Sequence, residues 1–350
     1  MAEIGIFQMA MTIAGCILGA GYVSGQELWQ YFGSFGAIGI AGLFISISMF
    51  CVTSIMLMRI ALKTGSAAVD ELIIEKDIPW LRALAGGIIV FVLFAASCVM
   101  CAGIGAIFNQ LFGIPAFIGS LLSLVIAGII TYTGLRGVVT VFSVAVPILV
   151  LFTIVTCGCS LLTKNVPAIS FVPAASSNPL LGNWLVSCIN YIALNYFASI
   201  GIIAPLVFHV KNSSVIYKGT VIGTLLLFSV GLSILLAVCT ETSVQASELP
   251  MLSLAQNVSP LTGYIYSVLL FFGMFGNLIS SLFGMMNYIN EKSGTARKHP
   301  GLSILVISVL IFCASLYGFS GLVGTLYPAF GYIGIVILIM TVIRYIRLRH

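Results

Sequence analysis

Apolar residues run along the chain in long blocks, each near the length that a helix needs to cross a bilayer, separated by short polar or glycine-rich links. The pattern predicts ten spans, at 4–32, 35–62, 83–112, 116–133, 137–163, 183–208, 214–240, 259–289, 301–319 and 321–346. Two spans carry an internal interruption. In the first, Gly15 to Glu27 reads GCILGAGYVSGQE: Gly19-Ala20-Gly21 is poor helix composition, and Glu27 places a carboxylate inside an apolar run. Backbone that leaves the helix at bilayer depth must be buried in protein or line a wet cavity, because lipid offers no partner to free N–H and C=O groups. A continuous helix whose glycines admit close packing is the alternative. In the sixth span Asn190, Tyr191, Asn195, Tyr196 and Ser199 crowd the middle and Gly201 and Pro205 follow, so a second break is expected there. An amide such as Asn195 at that depth needs either a neighbouring helix or a polar solute as its partner.

Charge orients the spans. Only 7% of residues are charged and 60% are hydrophobic, the composition of a polytopic membrane protein. With the N-terminus inside, 13 of the 14 basic residues fall on the cytoplasmic side and Lys164 alone falls outside, which supports an even span count with both termini cytoplasmic in a bacterial plasma membrane. The net charge of +5 is then topological and does not argue for nucleic acid. Met1-Ala2-Glu3 lacks the basic region of a cleavable signal, so the first span is expected to stay. All nine cysteines lie in predicted spans. Cys98-x-x-Cys101 has no second pair at metal-ligand spacing, so the thiols read as small buried hydrophobes.

Between the spans, 63–82 is the most charged segment and suits an amphipathic surface helix with Ile73, Ile74 and Trp80 at the interface. The stretch 240–258, with Glu241, Glu248 and Pro250, is long enough for a short helix over the outer face. Residues 164–182 are rich in Pro, Ser and Asn and form an external connector between a first repeat, 1–163, and a second, 183–350. Five spans on either side, starting from opposite faces, make an inverted repeat in which spans one and six are equivalent. That is the layout of secondary transporters whose broken helices bind solute and ion at mid-membrane, LeuT being the reference case.

The stretch 19–27, GlyAlaGlyTyrValSerGlyGlnGlu, with Tyr31-Phe32 and Gly36 behind it and TyrIleAlaLeuAsn at 191–195, resembles the YkvI-type bacterial membrane proteins. That family is similar to the LeuT-type amino acid–polyamine–cation superfamily. The resemblance implies an all-α fold of ten transmembrane helices in a 5+5 inverted repeat, helices one and six discontinuous. It also implies transport of an amino-acid-like or amine solute, coupled to sodium or protons, with no resident cofactor. By the same resemblance Gly19, Ala20, Gly21 and Tyr22, with Tyr191 and Asn195, are the substrate residues, the N–H groups of Ala20 and Gly21 holding a carboxylate. The carbonyls of Gly15, Leu18 and Asn277 and the hydroxyls of Ser280 and Ser281 match the superfamily's second sodium site. Tyr22 stands where relatives with a first sodium site carry asparagine, so no first site is expected.

Physical reading bears on three of these points. The start of an outer half-helix at Ala20 turns its positive end to the cavity, and no intramembrane basic residue is present to neutralise an anion, so a zwitterion or amine is expected. Gly15 lies about 6 Å inward of the first break, and Ser280 about 9 Å inward of the centre of span eight, at one level for a hard cation; serine hydroxyls bonded to their own helix are the alternative. A helix resuming after Gly21 carries Glu27 about 9 Å outward, to an external vestibule, as a gate or proton-coupling group; snorkelling or a structural bond is the alternative. An enzyme is not expected, because the membrane interior offers one carboxylate, no histidine and no basic residue with which to build a catalytic set. A channel or solute sensor on the same fold stays open, and oligomeric state is not legible.

Overall fold

The computed structural model describes residues 4–65, 79–133, 138–163, 178–292 and 297–349. Every regular element among them is helical. The first predicted span is divided into α1 (Ile6–Gly15), α2 (Ala20–Val23) and α3 (Gln26–Tyr31). There follow α4 (Ala37–Thr64), α5 (Pro79–Phe112), α6 (Ala116–Thr133), α7 (Val138–Thr163), α8 (Trp184–Leu206) and α9 (Ser213–Thr240). The short α10 (Pro250–Val258) leads into α11 (Pro260–Lys292), α12 (Pro300–Ser315) and α13 (Phe319–Arg349). Six helices among the described residues are long and apolar enough to cross a bilayer, and α1, α6, α7 and α12 supply shorter apolar stretches. The chain is a multi-pass helical membrane protein.

Polar residues at the links set the helix starts. The Asn183 side chain accepts from the N–H groups of Leu185 and Val186, each at 3.0 Å, and Asn212 accepts from Ser214 N–H at 2.9 Å, which caps α8 and α9. Pro250 opens α10, where its missing N–H costs nothing. This is the short helix expected within 240–258. Segments 66–78 and 164–177, which hold Ile73 and Ile74 of the expected surface helix and most of the expected connector, lie outside the described residues, while Trp80 falls in the first turn of α5.

The helices gather in two groups. α1, α4, α8 and α9 pack on one another, as do α5, α6, α11 and α12; α7 leans on α11, α9 and α10, and α13 on α8, α5 and α4. Spans one to four therefore each share a group with the span five places later, and spans five and ten pack outside both groups.

One expectation fails. α8 is continuous from Trp184 to Leu206 through its whole polar middle, and Pro205 sits only at its end. Its amides are satisfied without unwinding. Asn195 Nδ2 donates to the Tyr191 carbonyl of its own helix at 2.9 Å, and Asn190 finds partners on α3 and α13, described below. Pro328 does not break α13 either. The Gly324 carbonyl, which loses its helical donor to that proline, accepts from Asn178 Nδ2 at 2.7 Å.

The first span is broken twice. Gly25 has φ 81°, and a Cβ there would lie 2.9 Å from Met251 Cγ. Backbone conformation and space both demand glycine at this corner. Gly25→Ala is expected to cost about 1–3 kcal/mol, read as a lower melting midpoint of the purified protein in detergent. An unchanged midpoint would show that the corner is free to relax.

Candidate functional site

The gap between α1 and α2 leaves backbone groups open. Leu18 N–H still reaches the Ala14 carbonyl at 2.9 Å, and Gly19 N–H folds back on Ile17 at 2.6 Å. Among the described residues, the N–H groups of Ala20, Gly21 and Tyr22 and the carbonyls of Gly15, Cys16 and Leu18 have no hydrogen-bond partner. Beyond the gap the chain is pinned. Tyr266 Oη donates to the Val23 carbonyl at 2.6 Å, Ser24 Oγ to the Gly21 carbonyl at 2.7 Å, and Met251 N–H of α10 to the Ser24 carbonyl at 3.0 Å. Tyr22 Oη reaches across to the Leu227 carbonyl of α9 at 2.8 Å.

Glu27 corrects a second expectation. It does not face an external vestibule but is 5% exposed. Its Oε2 lies 3.0 Å from the point where a Gly21 side chain would begin, and Tyr327 Oη of α13 lies 3.1 Å from the same point. The left-handed turn at Gly25 is the cause: the helix does not continue from Gly21 to Glu27, and α3 brings the carboxyl back toward the gap. The hydroxyls of Tyr22, Tyr31, Tyr191 and Tyr327 lie around it. Tyr191 Oη is buried and turned toward this carboxyl. No basic side chain among the described residues accompanies this carboxyl, so neutral dipoles alone surround it.

Polar contacts tie this region to α8 and α13. Tyr31 Oη donates to Asn190 Oδ1 at 3.0 Å, and Asn190 Nδ2 donates to the Pro328 carbonyl at 2.8 Å. α13 can come this close because residue 331 is glycine: a Cβ there would sit 2.0 Å from Asn190 Oδ1. At the start of α13, Gln26 Nε2 donates to Ser320 Oγ at 2.6 Å and Gln30 Nε2 to the Ser320 carbonyl at 2.9 Å. Ser320 N–H in turn donates to Glu248 Oε2 at 2.5 Å.

The sequence-predicted residues divide accordingly. Gly19, Ala20, Gly21, Tyr22, Tyr191 and Glu27 come together around the gap, but the Tyr22 hydroxyl and the Asn195 amide are already engaged. The outer half of the span is two short pieces, so the dipole at Ala20 is that of a single turn, less than a full half-helix would give. Asn277 of α11 faces the gap, its Nδ2 3.7 Å from the position of a Gly19 Cβ. Ser280 and Ser281 follow it by three and four residues, on the same helix face. Neither serine bonds to its own helix among the described residues, unlike Ser24, Ser199 or Ser267. Tyr31, Asn190, Tyr327, Gln26 and Gln30 were given no role by sequence reasoning. Tyr31 had a signal, since it follows Glu27 by four residues on one helix face.

The two helix groups, with a gap of unpaired backbone in the first and a buried carboxyl beside it, define a multi-pass helical membrane protein with an interrupted first span. The chain shares its fold with Mhp1, a nucleobase-cation-symport-1 family transporter, in its inward-facing conformation: the TM-score is 0.56 at 13% identity, over 97% of this chain and 78% of that one. In sequence it is similar to YkvI, an uncharacterized membrane protein of Bacillus subtilis (strain 168), with 28% identity over 338 residues, 94% of this chain and 92% of the relative. YyaD of the same organism, also uncharacterized, is 23% identical over 340 residues, 94% of each chain. The resemblance carried by 19–27 thus extends along nearly the whole chain. No family model matches it.

Removing the amide that joins α3, α8 and α13 tests the packing of the site. Asn190→Ala strands the Tyr31 hydroxyl and a lone pair of Pro328, at about 1–3 kcal/mol for each group left unpaired. The melting midpoint of the variant should fall well below that of Tyr31→Phe, which strands only one. Equal midpoints would mean that Asn190 is not the junction.

Proposed function

We propose that this protein is a secondary active transporter of a small amino-acid-like or amine solute, working by alternating access in the bacterial cytoplasmic membrane with both termini inside. The observation that carries the reading is the gap after Gly15, where three backbone N–H groups and three carbonyls lie unpaired beside Asn277. Such groups are tolerated at membrane depth only where a cavity, a solute or an ion can meet them. The solute sits between this gap and the face of α8 that carries Tyr191, whose buried hydroxyl is turned toward Glu27. The N–H groups of Ala20 and Gly21 take its carboxylate.

The grouping of spans one to four with spans six to nine supports a 5+5 inverted repeat of ten spans, repeats 1–163 and 183–350 joined through 164–182. Exposure supports a carrier closed outside and open inside: Gly15, Asn277 and Ser280 are exposed, whereas Ala20 to Glu27 are buried beneath α10 and Tyr266.

Coupling is to sodium, held by the carbonyls of Gly15, Leu18 and Asn277 and the hydroxyls of Ser280 and Ser281. All are neutral oxygens suited to a hard cation that must leave again. The free carbonyls of Gly15 and Leu18 and the unbonded serine hydroxyls support this set. A second reading is favoured by Glu27. A carboxyl enclosed by tyrosines and lacking a cationic partner can take up and release a proton in each cycle, making the protein a proton-coupled carrier. A channel or solute sensor on the same fold is the remaining possibility.

Counterflow of radiolabelled amino acids and amines in proteoliposomes separates these. A carrier exchanges label saturably; a pore or a sensor does not. Sodium coupling predicts that replacing external sodium by choline abolishes uptake and that Ser281→Ala raises the sodium concentration for half-maximal rate several-fold. Uptake indifferent to choline, with a pH dependence that disappears in Glu27→Gln, assigns coupling to protons instead. Gly21→Leu should abolish uptake while the protein still elutes as a folded species, because the new side chain occupies the space of Glu27 Oε2 and Tyr327 Oη. Normal transport by that variant would place the solute elsewhere.

A further inference from the structure

At the end of the bundle where basic residues collect, the last turn of α4, the first turns of α9 and the end of α13 enclose a pocket of about 310 Å³. Arg59, Lys63, Tyr217, Tyr345, Leu62 and Leu348 line it. Arg59 is held in a fixed pose. Its Nε donates to Tyr217 Oη at 2.8 Å, its Nη1 donates to Tyr345 Oη at 2.7 Å, and its Nη2 also points at Tyr217 Oη. The guanidinium carbon stands 5.4 Å from the Tyr217 ring centroid, within range of a cation–π attraction. Lys63 Nζ donates to the Leu348 carbonyl at 2.5 Å. These partners are neutral. Among the described residues no carboxylate lines the pocket, and two cations stand there side by side.

Both keep donors in hand. A guanidinium has five N–H groups and an ammonium three, more than these bonds consume. Arg344, one helical turn before Leu348 on the same face, has Nε and Nη1 buried with no hydrogen-bond partner among the described residues. Apolar surface beside the pocket is open: Leu62, which lines it, and Val221 and Leu225 of α9, one and two turns along from Tyr217, are exposed. Two braced cations at the foot of an exposed apolar surface match an anionic head group whose chains run along the helices. Basic pockets between helices on the cytoplasmic side bind such lipids, and the anionic inner leaflet supplies them.

We propose that this pocket binds the phosphate of an anionic phospholipid, Arg59 and Lys63 donating to the phosphate oxygens and the acyl chains lying on Leu62 and the exposed residues Val221 and Leu225 of α9. The site is independent of the transport reading, since it shares no residue with the gap.

The test uses the full chain purified in a neutral detergent. Its melting midpoint is followed as phosphatidylglycerol, phosphatidylcholine or inorganic phosphate is added, and retained lipid is read by native mass spectrometry. Phosphatidylglycerol is expected to raise the midpoint by several degrees and to persist as a bound mass, with neither effect from phosphatidylcholine. In the double variant Arg59→Gln, Lys63→Gln the concentration for half the rise should increase about tenfold or more. Should that variant fail to fold, Lys63→Gln alone, at an exposed position, gives the same readout with a smaller loss. A phosphatidylglycerol effect undiminished in the variants, or equalled by phosphatidylcholine, overturns the site. A rise produced equally by inorganic phosphate makes it a soluble-anion site and overturns the lipid assignment.

Discussion

The structure depends on how an interrupted backbone is tolerated inside a membrane. Every amide left out of a helix there lacks water to bond with, so the first span can break only where neighbours take over. Past α2 they do: Tyr266 holds Val23, α10 holds Ser24, and Ser24 turns back on Gly21. Across the gap itself nothing among the described residues does so, and the carbonyls of Gly15, Cys16 and Leu18 and the N–H groups of Ala20, Gly21 and Tyr22 stay free. The break is pinned at its far end and open at its centre.

α8 shows the opposite solution to the same constraint. Its polar middle could have been met by unwinding, but each amide instead finds an acceptor in place: Asn195 on its own helix, Asn190 between Tyr31 and Pro328. A single broken helix then faces an intact one. The polar groups offered by α8 are side chains, Tyr191 above all, while those offered by the first span are backbone.

Much of this was legible in the sequence. The run at 116–133 coincides with α6, those at 137–163 and 214–240 fall within a residue of α7 and α9, and glycine composition located the first break. These features are local, set by apolar length and by residues that cannot hold a helix. The misreadings have one origin. Whether Asn190 unwinds its helix depends on partners 159 and 138 residues away, and where Glu27 points depends on the sign of φ at Gly25. Polarity inside a span announces that a partner exists. It does not say whether that partner is a solute, a distant tyrosine or a carbonyl.

The contacts of α3 with α8 and α13 have a mechanical meaning. Gln26 and Gln30 hold Ser320 and Tyr31 holds Asn190, each bond contributing about 0.5–1.5 kcal/mol net. Together they amount to about 3 kcal/mol, against the about 8 kcal/mol of a solute bound at micromolar affinity. They act as a catch rather than a weld. Thermal motion alone would find these bonds intact most of the time, yet a bound solute that favoured their release by even half of its own binding energy could spring them.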